Sequence, residues 1–345
     1  MYLAGDIGGT KTLLALFEKT STQLNLLTER KIASTQWNNL AEELHSFLRW
    51  AGVEPKEIAA GCLSLAGPIH ENTCHLTNLN RTLDFDLLRA SIRLQSPLLF
   101  CNDLTAMGHG IFTLEPKDLL CLNPSVLSTY SSYTPFTELN RAVIAPGTGL
   151  GESIIMGGNV VSPTEGAHVD FAPRSEQEVR LWRFLAREYG HVSYERVLSG
   201  PGLVNIYRFL REDLNYDVEI SSTHLTANHN LLSATELRLP SPAEITKKAL
   251  EGTCRLSSET LELFIQLLGA EAGNLALKSL ALGGVYLAGG IPPKILPKLQ
   301  QGSFLEAFQA KGRFSELLRS IPIYVILNER TALYGAARIA TLGTY

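Results

Sequence analysis

Two related α/β units in one chain are what the sequence predicts, and three observations predict them. The chain has 345 residues, beyond the roughly 250–300 at which single hydrophobic cores stop growing. Short apolar runs of strand length alternate with stretches of helical spacing. One local pattern, a strand, a glycine turn and a second strand, occurs twice, which reads as the duplication of one α/β unit. With 45% apolar and 19% charged residues, the chain has ample core material.

The elements follow in order. Tyr2–Asp6 and Thr12–Phe17 are apolar strands joined through Gly8-Gly9-Thr10, a hairpin with glycines at the turn. Gln23–Ile32 is a third strand, and Leu40, Leu44, Phe47 and Leu48 recur at helical spacing. Ile58–Ala66 is an apolar run ended by Gly67-Pro68, and Leu98–Phe100 leads straight into Asn102-Asp103. The second half reopens with Arg141–Ala145, Gly147-Thr148-Gly149 and Gly151–Met156. Ser175 and Glu178 form a capping-box pattern opening a helix. Thr260–Leu280 is a long helix, Val285–Ala288 a strand meeting Gly289-Gly290, Ile321–Leu327 the last strand and Arg330–Leu342 the last helix. Asn123–Asn140 and Glu212–Pro242 read as surface insertions.

Bulk properties narrow the function classes. The net charge is -4 and no long Lys/Arg block occurs, so neither nucleic acid nor an acidic membrane is an expected partner. The five cysteines, Cys62, Cys74, Cys101, Cys121 and Cys254, never fall at a CxxC spacing, and buried free thiols in a reducing compartment are expected. Asp6 interrupts the first apolar stretch and no basic leader precedes it, while Lys278 and paired glycines break the stretch around Leu275–Ile291. A soluble, cytoplasmic protein is expected.

Three clusters carry chemistry. The two glycine turns can bring backbone N–H groups to phosphate oxygens, with threonine hydroxyls as added donors, although each alone is equally well a plain hairpin turn. Neither fits GxxxxGK[ST], nor a GxGxxG opening a helix. Asp6 favours the phosphate reading, because a carboxylate at the end of a buried strand needs a cation and Mg²⁺ beside phosphates supplies one. Asn102-Asp103 stands at the carboxyl end of a strand, where α/β sheets place ligands. A helix cap needs only one such residue. An adjacent amide and carboxylate suit a polyol, one orienting a hydroxyl while the other accepts a proton. Glu165-Gly166-Ala167-His168 and the later Glu195 suit sugar hydroxyls as well, although His168 alone reads as a structural histidine and Glu195 as a first-turn acid.

Taken together, DIGGT (Asp6–Thr10), Asn102-Asp103, APGTGLG (Ala145–Gly151), EGAHVDFAP (Glu165–Pro173), GHVSYERVLSGPG (Gly190–Gly202), LAGGI (Leu287–Ile291) and KGRF (Lys311–Phe314) resemble the bacterial-type glucokinases in order and spacing. The resemblance runs from the first strand to the last helix. It implies an α/β fold of two RNase-H-like domains of the actin/hexokinase type with an interdomain active-site cleft. The smaller domain would comprise residues 1–112 plus 330–345, and the larger 113–329. It implies ATP-dependent phosphorylation of glucose on its 6-hydroxyl, with Asp103 as general base and Asn102, Glu165, His168 and Glu195 on the sugar. Asp6 would hold Mg²⁺ through water, Gly8, Gly9, Thr10, Gly147, Thr148 and Gly149 would approach the ATP phosphates, and Gly289 and Gly290 would lie under adenosine. A homodimer is also implied.

The chain departs from that family's pattern where Arg81-Thr82-Leu83 replaces an aromatic near the sugar-side loop Thr77–Asn80. Competing classes fit less well. The related repressor/open-reading-frame/kinase enzymes place a zinc-binding Cys/His cluster after the EGAH-like motif, and here no cysteine lies between Cys121 and Cys254. Sugar-responsive transcription factors place a helix-turn-helix ahead of the first glycine turn, where only five residues precede Asp6. An actin-like structural ATPase would not need the sugar-type residues.

Overall fold

The computed structural model describes residues 1–20, 23–76, 79–129, 138–213 and 238–343. Two compact units emerge: Met1–Leu120 with Ser153–Pro163 and Leu327–Tyr345, and Cys121–Glu152 with Thr164–Ile326. Residues 113–120 and 153–163 thus group with the first unit rather than the second. Residues 214–237 of the insertion expected at Glu212–Pro242 and 130–137 of that at Asn123–Asn140 fall outside the described residues, as do Thr77 and Asn78.

In the first unit, β1 (Tyr2–Ile7), β2 (Lys11–Lys19), β3 (Leu24–Ala33), β4 (Ala60–Leu65) and β8 (Leu99–Asn102) form one sheet in the order β3-β2-β1-β4-β8. β1 runs antiparallel to β2 and parallel to β4, which is parallel to β8. Alternation along the strands builds two cores. Leu3, Ile7, Leu63, Leu65 and Phe100 pack with helices α1 (Leu40–Ala51) and α2 (Phe85–Ile92). Ala4, Cys62 and Cys101 face α3 (Asp103–Gly110) and the C-terminal helix Thr331–Leu342. That second face is built of small residues, and the two helices cross at backbone contact. A Cβ on Gly335 would lie 1.7 Å from the Ala106 carbonyl oxygen, and one on Gly110 2.0 Å from that of Thr331.

A separate three-stranded sheet, β5 (Ile69–His70), β6 (Thr73–Leu76) and β7 (Arg81–Asp84), has no counterpart in the sequence reading. Only Cys74, Leu76 and Leu83 are buried along it, too few apolar positions to signal strands.

In the six-stranded sheet, β12 (Val160–Thr164), β11 (Leu150–Met156), β10 (Arg141–Pro146), β13 (Val285–Leu287) and β14 (Ile323–Ile326) repeat the order of the first sheet, with β9 (Leu119–Cys121) added at the edge. β10, β13 and β14 are mutually parallel. Helices α4 (Glu176–Tyr189), α5 (Gly200–Asp213), α6 (Pro242–Glu251) and α7 (Arg255–Ser279) follow the sheet's first strands. The long helix begins at Arg255, ahead of the expected Thr260, which is buried within it and donates its hydroxyl back to the Leu256 carbonyl at 2.7 Å. Ser175 caps α4 as expected, accepting from Glu178 N–H at 3.2 Å. Glu178 instead turns its carboxylate to the N–H and guanidinium of Arg174.

All five thiols are free; Cys62, Cys74 and Cys101 are buried while Cys121 and Cys254 are only partly so. Among the described residues no helix is long and apolar enough to cross a membrane.

Candidate active site

In the first unit, register assembles the site. Asp6, Ser64 and Cys101 form one row across β1, β4 and β8, and Ile7, Leu65 and Asn102 form the next. The row spans about 10 Å at the usual strand spacing. These are the carboxyl ends of three parallel strands, where α/β sheets present ligands. Asn102 does cap α3: its Oδ1 accepts from Leu104 N–H at 2.8 Å, and Asp103 Oδ1 shares the same donor at 3.0 Å. The capping bonds to Leu104 N–H are made by Asn102 Oδ1 and Asp103 Oδ1.

The two carboxylates converge on the same buried surroundings. Burial, followed by the nearby Asp103 charge, pushes the Cys74 thiol up to about 11. The hydrogen bond between Cys101 and Cys62 and burial raise the Cys101 thiol well above its usual value, and Asp103 and Asp6 add to this. Burial likewise pushes the Asp6 carboxyl up to about 6, partly offset by Lys11 and the Ser64 hydroxyl. A desolvated carboxylate of this kind favours a neighbouring cation. Among the described residues no three His, Cys, Asp or Glu side chains form a metal cage. One carboxylate supplemented by phosphate and water is the coordination Mg²⁺ ordinarily adopts, so the residues fit that ion. Lys11 pairs with Glu329 at 3.8 Å.

The first glycine turn is a two-residue loop, Gly9-Thr10, closed by Gly8 N–H donating to the Lys11 carbonyl at 2.9 Å. Behind it stand Thr12, Ser34 and Trp37, buried and hydrogen-bonded in series. These three were not among the residues singled out from the sequence. Nothing in their spacing distinguishes them from core filling.

In the second unit the glycine turn is held on three sides. Gly200, the first residue of α5, donates its N–H to the Gly147 carbonyl at 2.8 Å, and Ile291 N–H reaches the Pro146 carbonyl at 3.3 Å. Leu150 N–H donates to Glu195 Oε2 at 3.0 Å. The same oxygen would lie 2.5 Å from a Cβ on Gly149. Gly289, at φ +81°, would place a Cβ 2.5 Å from the Pro146 carbonyl oxygen, so only glycine fits there. The structure therefore joins Gly147–Gly149, Gly289–Gly290 and Glu195 by direct contact, and gives Glu195 a backbone partner that the sequence did not reveal.

Glu165 and His168 flank a single 3₁₀ turn, Gly166–His168, with Nε2 3.8 Å from Oε2 and both side chains exposed. Tyr194 N–H donates to Val169 and Phe171 N–H to Val192, at 3.2 and 2.9 Å, which ties this turn to the one carrying Glu195. Beneath it lies buried Glu152, whose Oε2 would be 2.3 Å from a Cβ on Gly166. Burial, then Glu271, pushes the Glu152 carboxyl up to about 8 against the pull of Lys278. Lys311 of the KGRF motif is structural, donating to the Ala270 carbonyl at 2.9 Å and to Asn274 Oδ1 at 2.5 Å, while Asn274 Nδ2 reaches the Tyr194 hydroxyl at 3.0 Å.

Comparison with known proteins agrees with this geometry. Residues 3–342 match the family model described as Glucokinase. The chain is 42% identical over 348 residues to a glucokinase of Nostoc sp. (strain PCC 7120 / SAG 25.82 / UTEX 2576), covering 99% of this chain and 98% of the relative. It is 34% identical to a glucokinase of Caulobacter sp. (strain K31), covering 97% and 93%. Among solved structures, a glucokinase from an Antarctic psychrotroph matches with a TM-score of 0.79 and 26% identity, over 99% of this chain and 98% of that one. A ROK family glucokinase from Streptomyces griseus, in complex with glucose and AMPPNP, shares the fold with a TM-score of 0.63 at 17% identity, over 99% of each chain.

Proposed function

The chain belongs to the glucokinase family, and on that premise we propose that it transfers the γ-phosphoryl group of ATP to the 6-hydroxyl of glucose with Asp103 as general base. The observation that carries the role of Asp103 is its place beside Asn102 at the carboxyl ends of β4 and β8, two residues beyond Cys101 of the row that holds Asp6. Asp103 accepts the hydroxyl proton as the sugar oxygen attacks the γ-phosphorus in line. The bond from phosphorus to the bridging oxygen breaks, and ADP leaves. Asn102, Glu165, His168 and Glu195 orient the sugar hydroxyls. The N–H groups of Gly8–Thr10 and Gly147–Gly149 offset charge on the phosphate oxygens, and Gly289-Gly290 lies under adenosine. Asp6 would hold Mg²⁺ through water, and that ion, when bound, would neutralise charge on the phosphates.

This reading gives the chain two RNase-H-like domains of the actin/hexokinase type and a reacting centre from which water is excluded. The same reading makes the protein a cytoplasmic homodimer without nucleic-acid or membrane partners.

The test is ADP release from MgATP with no sugar, glucose, mannose, fructose or N-acetylglucosamine. Glucose should stimulate strongly, and absence of stimulation by any sugar would refute the reading. Asp103→Ala should lower kcat by about 10²–10⁴-fold; near-normal turnover would remove Asp103 from its role.

A further inference from the structure

The glycine turn after β1 is backed by a hydrogen-bond chain whose direction is fixed atom by atom. Trp37 Nε1–H can only donate, and it lies 2.9 Å from Thr12 Oγ1. The Gly8 carbonyl can only accept, and Ser34 Oγ lies 2.6 Å from it. That bond takes the single hydroxyl proton of Ser34. Thr12 must therefore be the donor across the 2.9 Å that separates it from Ser34 Oγ. The order is Trp37 to Thr12 to Ser34 to Gly8, each hydroxyl accepting once and donating once. Thr12 and Ser34 are fully buried and Trp37 is 3% exposed.

Ser34 grips the turn a second time, its N–H donating to the Thr10 carbonyl at 3.0 Å. No peptide bond here is cis. With the Gly8 carbonyl held by Ser34, planarity of the trans peptide turns the Gly9 N–H to the opposite side, away from Ser34.

Arg81 closes the far end of the chain. Its Nη1 donates to the carbonyls of Ser34, at 3.2 Å, and of Trp37, and its Nη2 to Asn38 Oδ1 at 3.3 Å. The guanidinium also lies over the Trp37 ring, 4.7 Å from its centroid. Arg81 is the first residue of β7, in the small sheet whose Cys74 feels the Asp103 charge. One side chain thus ties the sheet beside the acceptor's base to the segment that supports the donor's turn.

We propose that Arg81, Trp37, Thr12 and Ser34 are positioning residues for the nucleotide phosphates. Arg81 immobilises residues 34–38, the hydroxyl chain carries that constraint to the Gly8 carbonyl, and the Gly9 N–H is held ready as a phosphate donor before the nucleotide arrives. This rests on the reading above that places phosphate at this turn. None of the four needs to touch substrate.

The experiment compares wild type with Ser34→Ala, Ser34→Thr, Trp37→Phe and Arg81→Met. It measures kcat, KM for ATP and for glucose, and affinity for ADP and for adenosine, the last by competition. A chain that only stabilised the fold would lower Tm without separating ADP from adenosine. Ser34→Ala, Trp37→Phe and Arg81→Met should weaken ADP binding and raise KM for ATP by about 5–30-fold, the scale of one lost hydrogen bond to a buried partner. Adenosine affinity and KM for glucose should stay within about twofold of wild type, well inside that scale. Ser34→Thr keeps the hydroxyl and should restore most of the ADP affinity. If Ser34→Ala fails to fold, Trp37→Phe, which keeps the ring, decides the matter. Unchanged ADP affinity in these variants, or equal loss for ADP and adenosine, would overturn the inference. A wild type that binds no ADP would overturn the kinase reading with it, so the two failures are distinguishable.

Discussion

Glu195 shows how one residue can serve two neighbours. Its Oε2 accepts from Leu150 N–H at 3.0 Å and lies against Gly149, in the second glycine turn. A carboxylate has a second oxygen, and the sugar role proposed for Glu195 would fall to it. Substitutions separate the two duties. Glutamine keeps a carbonyl oxygen for Leu150 but loses the charge offered to a sugar hydroxyl; alanine loses both. Glu195→Gln should therefore raise KM for glucose by about tenfold with little change for ATP, and Glu195→Ala should raise both, at the usual 1–3 kcal/mol of a missing charged hydrogen-bond partner. Steady-state kinetics with each substrate varied in turn would show this. A normal KM for ATP in Glu195→Ala would mean that the bond to Leu150 does not position phosphate. The sequence showed that an acid stood at 195 within a specific motif. It could not show the Leu150 contact, because the two residues meet only through the fold.

At the scale of elements, the position of Asp103 depends on the seat of α3. Asn102 caps that helix, and its flank rests on the C-terminal helix with backbone against backbone at Gly335 and Gly110. A Cβ at Gly335 would meet the Ala106 carbonyl at 1.7 Å, and backbone cannot yield as a flexible side chain does. Gly335→Ala should cost roughly 1–3 kcal/mol, the usual range for overpacking. It should also lower kcat, since α3 must shift with Asp103 at its first turn. Thermal unfolding and turnover measured on one preparation would test this. Loss of stability with unchanged kcat would show that the helix start is anchored by β8 alone. The main strands and long helices of this unit were legible because apolar runs and helical spacing repeat over many residues. The β5–β7 sheet was not, since its few buried side chains carry no period. The glycines at the helix crossing were equally silent, because a close approach between distant segments leaves no mark on local pattern.

Across the whole molecule, the duplicated strand, glycine turn and strand were legible, and both sheets share one strand order because the same local pattern folds the same way twice. Two buried groups, His109 in the first unit and Glu152 in the second, respond to pH in opposite senses. In the first unit, burial and then Arg338 push the His109 imidazole down to about 4. Its neutral form is favoured on folding, so its contribution is complete above the unfolded value near 6.5 and is lost as pH falls toward 4. In the second unit, Glu152 is pushed up to about 8 from an ordinary 4.5, by burial and then by Glu271. Here the protonated form is favoured on folding, so the contribution is complete below 4.5 and is lost as pH rises toward 8. Acid should therefore remove the contribution of His109 and mild alkali that of Glu152. Glu152→Gln, a neutral mimic of the protonated acid, should leave stability unchanged near pH 4.5. Near pH 8.5 it should raise Tm by several degrees, at about 2–4 °C per kcal/mol for units of this size. Calorimetry of wild type and variant across that range is the check. Parallel pH profiles for the two proteins would mean that Glu152 ionises on folding as readily as it does in water.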